Sequence, residues 1–324
     1  MFPKSLLERG NEVRSTPFQV WRTADMLRSR QDRSMQHRPA THAAKRALSR
    51  AGIWAAIGLA LAWTIFPIWW AFASSLKPLQ LQYGSLILPV IQFPASLDHW
   101  KWEWNNRYEV NGLYYGLRNS LIVGLATATL CVMLGMATAV GLRAFRNQPR
   151  AKSGVLAIAL LPRILPPVVM LTPFALLTVA LRIQDTLPGL IAAHTCFGLP
   201  IAIVVLDAAL RDIPADIIDA ARLDGASDLT VARQIAVPLL TPVLWAVGVL
   251  TFALSWNEFM FAVTNARYKA ATAPISVAFL DQRDGVDFEH VGSHIVLIIA
   301  IPLVLALLTQ RVLVRGLTLG AVRG

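Results

Sequence analysis

Six apolar runs, each close to the length a helix needs to cross lipid, constrain this chain more than any other feature. They are Ala51–Ser74, Ser120–Leu142, Gly154–Leu181, Leu190–Leu210, Pro238–Thr264 and Val291–Thr309. The hydrocarbon core of a bilayer takes about 20 residues of helix. A run of that length satisfies its backbone groups in lipid only as a helix. The expected fold class is therefore all-α integral membrane, with six spans. Only 15% of residues are charged, against about a quarter in a soluble domain. The third run holds Pro162, Pro166, Pro167 and Pro173, so it is expected to be kinked or broken.

The net charge of +11 would suggest nucleic acid in a soluble protein. Here the placement of the charges decides. Eleven Lys and Arg residues lie in the first fifty positions. Arg143, Arg146, Arg150 and Lys152 follow the second run, and Arg211, Arg222 and Arg233 follow the fourth. The alternate connections are leaner in basic residues. The asymmetry predicts both termini in the cytoplasm and no nucleic-acid partner. Residues 1–50 are expected to form a basic, disordered tail with a short helix around Phe18–Leu27. The first long apolar run begins at Ala51, too far in and too long for a cleavable signal peptide. Cys131 and Cys196 fall inside apolar runs and read as small hydrophobes.

Between the fourth and fifth runs lies DIPADIIDAARLDGASDLTVARQIAVPLL, residues 212–240. Pro214 suits the start of a helix, and Asp216 and Asp219 favour its N-terminal half. At 100° per residue Asp212, Asp216 and Asp219 share one face; Ile213, Ile217, Ala220 and Ala221 share another, with Ile218 at its edge. Gly225 can end the helix in the left-handed conformation. Ser227 is a natural N-cap for a second helix through Ala236. An interfacial helix resting on lipid usually pairs a basic face with bulky apolar residues. This polar face is acidic, and anionic lipids would repel it. Its apolar face is compact, which suits a groove in another protein.

These residues resemble a known pattern. DAARLDGAS followed by IAVPLL is similar to the EAA loop of permease subunits from binding-protein-dependent ABC importers, with Asp219 in place of the usual Glu. SSLKP, NSLIVG, RILPPVVMLTPF, SWNEF and the tail RVLVRGLTLGAVRG resemble the maltose-type carbohydrate subgroup. The resemblance covers residues 50–324 and implies a six-span type I ABC importer permease fold, with a permease domain over 51–315. It makes the loop 212–237 a cytoplasmic coupling helix seated in a cleft of an ATPase subunit. Ile217, Asp219, Ala220, Ala221, Asp224 and Gly225 are then the ATPase-coupling residues, with Ile217 and Ala221 filling the socket. The tail 316–324 is expected to reach the ATPases through Gly316, Leu317, Thr318 and Gly320.

The implied partners are a homologous second permease, two ATPase subunits, an extracytoplasmic substrate-binding protein and the lipid of a bacterial inner membrane. The chain lacks G-x-x-x-x-G-K-[ST], the loop that cradles nucleotide phosphates. It is expected not to be an enzyme and to bind no cofactor, with ATP and Mg held by partner subunits. The expected function is to form half of a pathway for a sugar, oligosaccharide, polyol or glycerol phosphate.

Other residues carry competing expectations. Asn257 and Glu258 read either as translocation-pathway groups or as helix-packing contacts, since an acid at such depth must face a bundle interior or water. Arg163, among the prolines of the third run, is expected to pair with an acid or a freed carbonyl inside the bundle, or to meet substrate. His290 and His294 share a helix face as a metal pair would, but no third ligand accompanies them and no metal site is expected. Trp100, Trp102, Trp104, Tyr108, Tyr114 and Tyr115 suit an interfacial belt or a docking surface. His194 is expected to be packed or hydrogen-bonded within the bundle.

Overall fold

The periodicity of the apolar runs turns into helices almost throughout, in a computed structural model that describes residues 39–78, 81, 87–105, 112–145, 148–278 and 288–318. In order these helices are α1 (Pro39–Ser75), α2 (Asp98–Asn105), α3 (Leu113–Gly141), α4 (Pro149–Ile164), α5 (Pro167–Ala180) and α6 (Leu187–Arg211). There follow α7 (Ala215–Leu223), α8 (Asp228–Leu239, with a π-helical turn at Ala232–Ala236), α9 (Thr241–Trp256), α10 (Met260–Asn265), α11 (Ala273–Ala278) and α12 (Phe288–Thr318). Among the described residues no strand forms, only an isolated bridge between Pro89 and Phe93. The predicted helix around Phe18–Leu27 lies outside the described residues.

The chain divides into two units, residues 1–67 and 68–324. In the first, the described part is the N-terminal portion of α1, which starts at Pro39 rather than at Ala51. Its apolar side chains stand exposed, among them Trp54 and Trp63.

The second unit is built around α3. Its buried positions include Gly116, Asn119, Ser120, Val123, Thr127, Cys131, Gly135 and Ala139. Those spacings of three and four put one stripe of small residues along the helix, which lets neighbouring backbones come close. α6 and α9 pack on that stripe. α12 packs on α9, where the indole Nε1 of Trp256 donates to the Ile298 carbonyl at 3.3 Å. At Gly292 a Cβ would lie 2.9 Å from the Ser75 nitrogen and 3.0 Å from the Ala71 carbonyl oxygen. Both are backbone atoms, so only glycine lets α12 approach the end of α1 this closely.

Two of the six expected spans are bent. Among the described residues four helices are long and apolar enough to cross a bilayer, and the number reaches six if each bent pair is one span. α4 and α5 meet at 95°. Leu165 sits between them with ψ 139°, the extended geometry that a following proline imposes, and Pro166 and Pro167 extend the break. α8 and α9 meet at 80° around Leu240, where Pro242 cannot continue the ladder. The fifth run is therefore not one helix from Pro238 to Thr264: α9 ends at Trp256, and α10 starts only at Met260.

Candidate functional site

The segment between α6 and α9 forms a helix, a tight turn and a second helix. Ile213 and Ile218 on one side of it join Met136, Leu206, Leu210, Val231, Ala236 and Val243 in a single apolar core. Two or three buried aliphatic side chains, each contributing about 1.5–3 kcal/mol, are enough to hold so short an element in place. The opposite side is bare. Asp216, Ile217, Asp219, Ala220, Leu223, Asp224, Gly225 and Leu229 are all exposed, Leu223 by 89% and Leu229 by 77%.

The turn is closed by backbone alone. Ala226 N–H donates to the Ala221 carbonyl at 3.0 Å and Gly225 N–H to the Arg222 carbonyl at 3.0 Å. That pair of bonds is the Schellman pattern, and it requires φ +84° at Gly225, a conformation that favours glycine. Ser227 then caps α8, its Oγ accepting from Thr230 N–H at 3.2 Å. Across the turn Arg222 pairs with Asp228 at 2.8 Å, both side chains exposed.

The exposed surface thus brings together Ile217, Asp219, Ala220, Asp224 and Gly225. It does not include Ala221, which packs against the chain's own core. The facing differs from the expected wheel for a physical reason. Ile213 precedes the helix, in a turn before Pro214, which has ψ 133°. Counted from Ala215, the inward positions are Ile218 and Ala221. Leu223 and Leu229 are the apolar groups that sequence reasoning passed over. The signal available was a leucine one turn after Asp219, on the polar side. Of the tail residues, Gly316, Leu317 and Thr318 form the end of α12, and Gly320 lies outside the described residues.

Glu258 sits at the break after α9. Its Oε1 accepts from Phe261 N–H at 2.9 Å and its Oε2 from Ala262 N–H at 3.2 Å. These are free donors at the start of α10, so the carboxylate caps that helix. His194 of α6 stands 3.2 Å from Oε2 through Nε2, and its Nδ1 lies 2.7 Å from Ser255 Oγ. Of the two expectations for this residue, these bonds are the packing ones. Asn257 is exposed and donates to the Ala253 carbonyl at 2.8 Å. Arg163 is exposed at the α4–α5 break, with no hydrogen bond or ion pair among the described residues. The pairing expected for it inside the bundle does not form, because the last turn of α4 has no buried residue.

At the opposite end of the bundle from α7, Asp185 holds an irregular segment in place. Its carboxylate accepts from the N–H groups of Tyr268, Lys269 and Ala270 at 3.0–3.3 Å. Its own backbone is left-handed, with φ 52°, a strain of about 1–2 kcal/mol that these bonds offset. Asp185→Ala should free those groups. Limited trypsin digestion then cuts after Arg267 and Lys269 faster than in the unaltered protein, and an unchanged rate would show that the carboxylate is dispensable. His294 Nδ1 lies 2.7 Å from Glu103 Oε1, and the His290 ring lies 3.9 Å from that of Trp102. These contacts seat α2 on α12 and engage Trp102 in packing. A cavity of about 730 Å³ between α3, α9 and α12 is walled by Leu125, Val132, Trp245, Phe252 and Leu305 with few polar atoms. It offers too few hydrogen-bonding groups for a hydroxylated solute.

The architecture is that of a membrane transport subunit. Residues 131–318 match the family described as binding-protein-dependent transport system inner membrane component, and the chain belongs to it. The trehalose transport system permease protein SugB of Mycobacterium tuberculosis is 33% identical over 288 residues, 85% of this chain and 98% of that protein. The arabinooligosaccharides transport system permease protein AraQ of Bacillus subtilis is 28% identical, covering 80% of this chain and 91% of that one. Among solved structures, a bacterial ABC transporter that imports the acidic polysaccharide alginate aligns with TM-score 0.66, covering 82% of this chain and 97% of that one at 18% identity. The last match shows a shared fold.

Proposed function

We propose that this chain is one of two permease subunits in an ATP-driven ABC importer for a sugar-type solute. It forms half of the translocation pathway and is driven from the cytoplasm through α7. The observation that carries this reading is the exposed surface of α7 and its glycine turn, acidic and apolar together, held rigidly between two spans by a buried apolar face. A lipid-surface helix would show the opposite charge. The names of the relatives support the solute class: trehalose, arabinooligosaccharides and, for a protein of Agrobacterium fabrum 25% identical to this chain, sulfoquinovosyl glycerol.

In this reading Ile217, Ala220 and Leu223 enter a cleft of the ATPase subunit, and Asp219 and Asp224 meet basic groups at its rim. ATP with Mg is bound and hydrolysed by two such subunits, and an extracytoplasmic binding protein delivers the solute. Both termini lie in the cytoplasm, where Gly316–Thr318 and the residues beyond reach the ATPase pair. Asn257 and Arg163 face the pathway at the two breaks, and Glu258 fixes the shape of one of them. The test is solute uptake by proteoliposomes that hold this chain with its partner permease, its ATPases and its binding protein. Uptake of a sugar should require ATP and the binding protein together. Uptake that persists without either, or that follows an ion gradient alone, would contradict the proposal.

A further inference from the structure

α4, the first arm of the broken third span, has no fully buried residue. Its inward side is only half-buried, at Ala151, Lys152, Leu156, Ala159 and Leu160, where it lies against α6. An ion pair is the strongest directional tie there: Lys152 Nζ lies 2.7 Å from Oδ1 of Asp207 on α6. Asp207 is almost fully buried, its side chain 5% exposed, while Lys152 is at 19%. The same carboxylate pairs through Oδ2 with Arg211, and Arg143 donates to the Leu210 carbonyl at 2.6 Å.

A carboxylate in the last turns of a helix opposes the helix dipole, and a buried charge without a partner is strongly unfavourable. Asp207 is unfavourably placed on both counts, and the neighbouring Lys152 and Arg211 offset this. Its place is informative. Leu206 and Leu210 on either side belong to the core that holds Ile213 and Ile218 of the α7 segment, and Arg211 is the last residue of α6. Asp207 therefore sits where α6, the exposed α7 segment and the loosely packed α4 meet.

We infer that the Lys152–Asp207 pair is the joint through which movement of α7 reaches the broken third span, with Asp207 a positioning residue for coupling. The inference rests on the reading of α7 as the ATPase contact. A directional ion pair beside an apolar face that is only half-buried lets α4 change its angle while staying attached. The basic residues after the second run, which read as a topology signal, here carry a second role.

The test uses the reconstituted complex with its binding protein and sugar, and reads solute imported per ATP hydrolysed. Lys152→Met should lower that ratio by about five-fold or more, the lower range of coupling between sites, while ATPase activity continues. Lys152→Arg keeps a cation within reach of Asp207 and leaves the Asp207–Arg211 pair intact, so it should keep at least half of the ratio at which Lys152→Met fails. Should Lys152→Met not assemble, Lys152→Met with Asp207→Asn removes both charges and should give the same low ratio. An unchanged ratio in the assembled Lys152→Met variant, or a loss in Lys152→Arg as deep as in Lys152→Met, overturns the inference. Gly225→Asp in the same assay separates the two ideas. If it uncouples and Lys152→Met does not, only the joint fails. If Gly225→Asp leaves coupling intact, the reading of α7 itself fails.

Discussion

Replacement of Gly225 by Asp should abolish ATP-driven uptake while leaving the chain in the membrane at nearly its normal level. The two halves of this expectation have separate physical causes. A Cβ at Gly225 meets nothing within 4 Å, so the substitution creates no clash within the chain. The left-handed φ costs a side chain about 1 kcal/mol, and Asp tolerates that region better than most residues. Folding should survive. On the proposed function the turn lies in the ATPase contact, and the added carboxylate would enter that contact beside Asp219 and Asp224. Loss of even 1.4 kcal/mol at that contact weakens it about ten-fold. Uptake and membrane level are measured together. Normal uptake in an assembled Gly225→Asp complex would exclude the turn from the coupling contact.

The second large effect is expected at Glu258. Alanine there strips two backbone N–H groups at the start of α10 and the His194 ring of their acceptor. Each unsatisfied buried group costs about 1–3 kcal/mol, so the sum is several kcal/mol at one break in the bundle. Glu258→Gln keeps one carbonyl oxygen and should lose much less. The thermal midpoint of the detergent-solubilised complex should fall in the order unaltered, Gln, Ala. Equal midpoints for Ala and the unaltered protein would mean that the cap is replaced by other donors or water. A drop in uptake with no drop in midpoint would return Glu258 to the pathway.

Much of the architecture is legible in the sequence because lipid imposes a length and a composition at once. The helices around Gly154–Leu181 show where that legibility ends. Pro162, Pro166, Pro167 and Pro173 announce a break, but only Pro166 and Pro167 make it; Pro162 and Pro173 lie inside helices. A proline states what it forbids, not which of several neighbours will bear the bend. In the fifth run the acid at Glu258 marks a break too, because a carboxylate next to free N–H groups is a cap. Its partners, Phe261 and Ala262, look like further span residues when read as composition.

For the candidate site, Gly225, Ser227 and the acidic helix are local signals, and local geometry follows from them. The facing of α7 is not local. It depends on where Ile213 and Ile218 find the core formed by α3 and α6, and a wheel drawn through Pro214 loses the phase. Asp207 and Lys152 are separated by 55 residues, and nothing in a single sequence marks them as partners. Asp185 and the N–H groups of residues 268–270 are joined in the same non-local way.

The central claim is that the exposed face of α7 touches an ATPase subunit and not lipid. A photo-reactive amino acid at Leu223, 89% exposed on that face, tests this most directly, with the same group at Ile91, 80% exposed on a different segment, for comparison. On irradiation of the whole complex in membranes, Leu223 should form an adduct with the ATPase subunit and Ile91 should not. Adducts of Leu223 with lipid alone would contradict the account.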